Sequence, residues 1–180
     1  MKKLMALMLA LCALLTLSSC GGDAPVAPEG YKLASNDDIC TYSLYVPETW
    51  IAQSDRSDYT IAAVSSTDSC TVSVAKLEDV YAETMDQYWE ECKAKFIFLS
   101  DFTVTEEGAQ VSVGSDGRQG YRYRFSGKYN GTEYAYMQVF FFDSNTFSPG
   151  FFCFTYTATA EHFDQHLTLA NEILSYFRFR

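Results

Sequence analysis

The chain has 180 residues, with 13 basic and 23 acidic side chains and a net charge of −10. That balance repels phosphate and argues against nucleic acid as a partner, while the length suffices for one domain with a core of its own. An aromatic content of 16%, with 13 tyrosines and 14 phenylalanines, suits a sheet-rich interior.

Lys2 and Lys3 precede a run from Leu4 to Leu17 in which Thr16 alone is neither apolar nor sulfur-containing. As a helix that run spans roughly 21 Å, short of the ~30 Å hydrocarbon core of a bilayer, so residues 1–19 read as a signal peptide. The stretch Leu17-Ser18-Ser19-Cys20 that follows resembles the lipobox of bacterial lipoproteins. The resemblance implies cleavage after Ser19 and an acylated Cys20 that attaches the protein to the membrane, stably if two or more chains are added. An ordinary secretory cleavage site with an incidental cysteine is the plainer alternative. Gly21 stands where an aspartate would signal inner-membrane retention of the Gram-negative type.

Without residues 1–19 the net charge becomes −12, which keeps the domain off an anionic membrane except at its lipid. Residues 20–38, ending "GGDAPVAPEGYKLASNDD", read as a flexible tether. Residues 39–180 then form a single domain.

Within that domain "CTYSLYV" alternates at the period of a half-buried strand and stops at Pro47. "YTIAAVSS" and "CTVSVAKL" predict a hairpin through Ser66-Thr67-Asp68-Ser69. From Glu83 the period changes, and Met85, Tyr88, Trp89, Cys92, Phe96 and Leu99 predict an amphipathic helix. "FTVTEE" and "AQVSVGS" read as strands paired around Gly108, and "RQGYRYRFSGKY" as joined to "TEYAYMQVFFFD" by an Asn130-Gly131 hairpin turn. "GFFCFTYTA" is the last long strand. Phe163, Leu167, Ala170, Leu174 and Phe177 predict a second amphipathic helix that starts near Thr159 or Glu161. Three strands, a helix, five strands and a helix, joined by short turns, give an α+β class with an antiparallel sheet flanked by helices.

Candidate chemistry is sparse. His162 and His166 share a helix face, but "HFDQH" lacks the glutamate of the zinc-protease motif and no third ligand is evident, so both read as polar surface residues and no metal or cofactor is expected. "GSDGRQG" lies between two strands and reads as a turn, not a phosphate loop. No G-x-S-x-G occurs, and the acid pairs Asp37-Asp38 and Glu106-Glu107 lack a calcium-loop pattern. Cys40, Cys70, Cys92 and Cys153 fit buried free thiols as well as disulfides, for which three full pairings exist. In "YMQVFFFD" and "GFFCFTY" both parities are aromatic, so both faces of those strands must be covered. Core packing is the default explanation. The alternative is a ligand cleft or docking face that includes Tyr123, Phe125, Phe140, Phe142, Phe152 and Phe154.

"YSLYVPETW", the "GYRYRFSGKYNGTEYAYMQVFFF" hairpin, "FFCFTYTA" and the closing "FDQHLTLANEILSYFRF" together resemble the Mog1/PsbP-like pattern over residues 42–179. The resemblance implies an α/β/α sandwich and carries no shared catalytic residues; fold alone leaves function open. The reading is therefore a lipid-anchored, extracytoplasmic, non-catalytic binding or assembly module of the bacterial cell envelope, with an envelope protein as partner. A carrier of an apolar small molecule or lipid is the alternative, and an enzyme without a recognisable motif ranks last.

Overall fold

The computed structural model describes residues 26–35, 40–54, 60–65, 67–77, 84–144 and 150–180. The leader, Cys20 and part of the tether lie outside the described residues. In chain order the elements are β1 (Tyr31–Leu33), β2 (Tyr42–Ser43), β3 (Tyr45–Pro47), β4 (Ile51–Ser54), β5 (Thr60–Val64), β6 (Thr71–Leu77), α1 (Met85–Lys95), β7 (Ser100–Val113), β8 (Arg118–Tyr129), β9 (Thr132–Asp143), β10 (Gly150–Thr159), α2 (Ala160–Tyr176) and β11 (Arg178–Phe179). Seven strands form one antiparallel sheet in the order β4-β5-β6-β10-β9-β8-β7. One helix packs on each face, which is the α+β class expected from the alternation of strand and helix periods.

Register assigns the faces. Phe141 pairs with Phe152 and Val139 with Phe154 on one face, whereas Phe140 pairs with Cys153 and Tyr121 on the other. The first face meets Phe163, Ala170, Ile173 and Leu174 of α2 and forms the larger core, with Tyr42, Leu44 and Val46 closing its side. The second face meets Trp89 and Cys92 of α1 in a smaller core with Tyr123, Phe125 and Phe140. Of the residues that spacing placed inward, Trp89 and Cys92 of α1 and Phe163, Ala170 and Leu174 of α2 are buried, and Met85, Tyr88 and Leu167 are half-buried; α1 ends at Lys95, so Phe96 caps it and Leu99 lies beyond it. Thr84 caps α1, its hydroxyl accepting from the Gln87 N–H at 3.2 Å. No helix among the described residues is long and apolar enough to cross a membrane.

Three local differences from the sequence reading have physical causes. Tyr31–Leu33, expected in the tether, pairs with β3, and Ala34 and Ser35, which follow it, are buried, so ordered structure begins before residue 39. "CTYSLYV" is not one strand of the main sheet: it divides into β2, which pairs with the C-terminal β11, and β3, which pairs with β1. "FTVTEE" and "AQVSVGS" are one long strand, β7, and not a hairpin. Gly108 has φ +66°, but that conformation serves a break in register between Glu106 and Ala109, so the glycine kinks a strand without reversing it. The Asn130-Gly131 turn does form, with φ of +51° and +82°, the left-handed pair that a two-residue hairpin favours.

The turn from β7 to β8 also closes the end of α2. The Gly114 N–H donates to the Leu174 carbonyl at 3.1 Å and that of Ser115 to the Phe177 carbonyl at 3.3 Å, which satisfies carbonyls the helix end leaves open. A Cβ at Gly114, where φ is +71°, would meet the Phe177 carbonyl oxygen and Asp116 Oδ1, whereas Gly131 has open space around it. Gly114→Ala is expected to cost about 2–4 kcal/mol and Gly131→Ala about 1 kcal/mol in urea denaturation, because only the first adds a clash to the backbone strain.

Candidate functional site

The six aromatic residues singled out from the sequence do not share a surface. Tyr123, Phe125, Phe140 and Phe142 lie on the α1 face, and Phe152 and Phe154 lie with Phe141 on the α2 face. Five of the six are buried; Phe142 is 44% exposed, its ring 4.9 Å from that of Phe151. On the α1 face Trp89 stacks on Tyr123 at 4.5 Å, and Phe125 stacks on Tyr136 at 4.8 Å. These contacts are core packing.

The Trp89 indole N–H donates to Glu107 Oε1 at 2.9 Å, and the Lys93 ammonium donates to the same oxygen at 3.2 Å. The Trp89 bond first, and then that from Lys93, hold the Glu107 carboxyl below its usual range. Glu107 thereby ties α1 to β7 at the register break. The neighbouring Glu106 points to the other face, where Arg122 grips it with two bonds of 2.9 Å and Arg124 Nε lies 3.1 Å away as an ion pair. Both acids have structural partners, Glu107 the donors of α1 and Glu106 the arginines of β8. Glu106 has its folded pKa lowered by Arg122, so its contribution is full above the unfolded pKa and fades as pH falls through the folded value. Glu106→Gln is expected to cost about 1–2 kcal/mol at pH 7, and the gap from the unsubstituted protein should close in urea melts taken down to about pH 3.

The two histidines serve separate partners. His166 Nε2 lies 2.6 Å from Asp68 Oδ2 in the β5–β6 turn, and His162 Nδ1 lies 3.0 Å from the Thr159 hydroxyl at the start of α2. Among the described residues no group of His, Cys, Asp and Glu is arranged to hold a metal ion.

Two features that the sequence reading did not single out stand on the α1 side. The first is a cleft of about 240 Å³ lined by Ala75 and Leu77 of β6, Cys153 and Thr155 of β10, Gln138 and Phe140 of β9, and Tyr88, Cys92, Lys95 and Phe96 at α1. It exists because α1, at 11 residues about 16 Å long, is too short to cover a seven-stranded sheet. The Gln138 amide N–H donates to the Thr155 hydroxyl at 3.4 Å, which also meets Cys153 Sγ at 3.4 Å. Gln138 Oε1 is buried without a hydrogen-bond partner.

The second feature is an exposed apolar end. Ile97 is 90% exposed, Phe98 57% and Tyr129 48%, with the rings of Phe98 and Tyr129 6.0 Å apart. Its signal was present in "FIFL": helical spacing gives Phe96 and Leu99 an inward place and leaves Ile97 and Phe98 none.

Cys40, Cys70, Cys92 and Cys153 are all free and buried. Burial pushes the Cys92 thiol up and takes that of Cys153 up to about 12, so both are protonated and poor nucleophiles at neutral pH. Iodoacetamide applied to the folded protein should leave all four unmodified over minutes, and the same treatment in urea should label all four, as read by peptide mass mapping.

No protein-family model and no curated protein matches the chain. Solved structures do. A cyanobacterial PsbP from a Synechocystis species superposes with a TM-score of 0.56 at 11% identity over 92% of this chain and 99% of its own. The Ran-binding protein Mog1p of Saccharomyces cerevisiae gives 0.53 at 11% identity over 83% and 95%. The chain has a Mog1/PsbP-like fold. LpqN of Mycobacterium tuberculosis, described as involved in cell envelope biogenesis, gives 0.54 at 18% identity over 74% of this chain and 79% of its own. At such identities the likeness is one of fold, so activity has to be argued from the residues of this chain.

Proposed function

We propose that the protein is a lipid-anchored, non-catalytic binding module on the extracytoplasmic face of a bacterial cell membrane, attached through an acylated Cys20. In this reading it docks an envelope protein through Ile97, Phe98 and Tyr129. The observation that carries the docking role is the exposed end itself: an exposed isoleucine and two exposed rings 6.0 Å apart lose their contact with water only when a partner covers them. The leader and its Leu17-Ser18-Ser19-Cys20 ending support the anchor. The envelope role described for LpqN, on the same fold, is consistent with this location.

A protein suits that end better than a lipid surface does. The acidic chain is repelled by anionic headgroups. The chain also enters the domain on the α2 side, where Tyr31 stands edge-on to Tyr176 at 5.0 Å, whereas Ile97 and Phe98 follow α1 on the opposite layer. Lys128 beside Tyr129, held by Asp101 at 2.7 Å, gives the apolar end a charged rim.

The test is a photoreactive residue placed at position 97 in cells, with position 165 on α2 as the control. A discrete protein adduct is expected at 97 and not at 165, and Phe98→Glu should abolish it while shifting the melting temperature by less than about 2 °C. Equal adducts at both positions, or adducts to lipid alone, would refute the docking role.

A further inference from the structure

Beyond docking, we propose that the cleft between α1 and strands β6, β10 and β9 binds a small bicyclic aromatic molecule carrying one N–H donor. Its ring lies among Tyr88, Phe96 and Phe140, and its N–H donates to Gln138 Oε1.

Size and lining set the body of the ligand. A dry apolar cavity of about 150 Å³ holds one benzene, and this cleft of about 240 Å³ has room for a fused pair of rings. Its walls are themselves aromatic, with Tyr88 edge-on to Phe140 at 5.3 Å and Phe96 at the end of α1. Rings of this kind favour an aromatic guest in edge or offset contact. Cys92 and Cys153 line the same space and can add polarizable contacts to a ring.

Gln138 sets the polar requirement. A buried acceptor without a partner is rare in folded proteins and calls for an explanation. The amide nitrogen is already directed at Thr155, and Thr155 is shared with Cys153, so the side chain is held with Oε1 left over. A guest with a ring N–H satisfies that oxygen and leaves the rest of its surface to the apolar walls. The Cys92 and Cys153 thiols that line it are kept protonated by burial, so neither is a ready nucleophile toward the guest.

Indole and 1-methylindole are the probes, since they share shape and differ in the one N–H. Each is titrated into the full chain, as the producing cell leaves it, and followed by calorimetry and by amide NMR shifts. Indole is expected to bind saturably, with shifts centred on Gln138, Thr155 and Cys92, and 1-methylindole to bind about fivefold or more weakly. In Gln138→Leu the two should bind within about twofold of each other. Absence of saturable binding, shifts centred elsewhere, or equal binding of both probes to the unsubstituted protein would overturn the proposal, the last because Oε1 would then be satisfied by water. The two-probe comparison needs no variant, so it decides the question even if Gln138→Leu does not fold. It is also independent of the docking role, which rests on Ile97 and Phe98.

Discussion

Strands β9 and β10 must be covered on both faces, and the rest of the domain is arranged around that requirement. Phe140 and Phe141 point to opposite sides of one strand, and Phe152 and Cys153 do the same on its neighbour. Burying one such aromatic side chain is worth about 1.5–3 kcal/mol, so exposing either face would remove much of the margin by which a domain is stable. Two helices on opposite sides are the economical answer for a chain of this length. Their order in sequence, one before the long strands and one after, lets each reach its face without crossing the sheet.

The two faces are covered unequally. α2 has 17 residues and receives help from β1, β2, β3 and β11, which pair outside the main sheet and wall in its larger core. α1 has 11 residues and no such help. Its grip depends on Trp89, which stacks on Tyr123 and donates to Glu107, and on the Lys93 contact to the same carboxylate. Gly108 has a part in this, since the break in β7 beside it lies where Glu107 meets α1. The short helix leaves Gln138, Thr155 and Leu77 at the edge of a cleft, and the chain leaving it carries Ile97 and Phe98 into solvent. Both candidate binding features thus follow from one cause, a helix too short for its sheet.

The polar groups on the opposite side hold the scaffold together. His166 joins α2 to the β5–β6 turn through Asp68, Glu106 gathers Arg122 and Arg124 across β7 and β8, and the Gly114 turn closes the end of α2. The residues that carried catalytic or metal-binding potential in the sequence are therefore tied to structural partners. Among the described residues, Gln138 Oε1 is one of four buried polar atoms without a hydrogen-bond partner, with Tyr123 Oη, Arg124 Nε and Arg178 Nε, and Ile97, Phe98 and Tyr129 stand exposed.

Local patterns were enough for much of this. Helical spacing from Met85 and from Phe163, the Asn130-Gly131 turn and the two-sided aromatic strands depend on periods and turn geometry within a few residues, and all are realised except that α1 stops at Lys95, short of Leu99. The signal-peptide and lipobox readings rest on the sequence alone, since residues 1–25 lie outside the described structure. Pairing across the chain was not legible: that β2 joins β11 and that Gly108 bends a strand without ending it depend on partners more than 130 and about 14 residues away, to which a local period is blind. The same holds for the face assignment of the six aromatics, since adjacent parities on neighbouring strands become one surface or two only when register is set. The cleft and the exposed end were decided last and only in three dimensions, because they are the space that α1 does not fill.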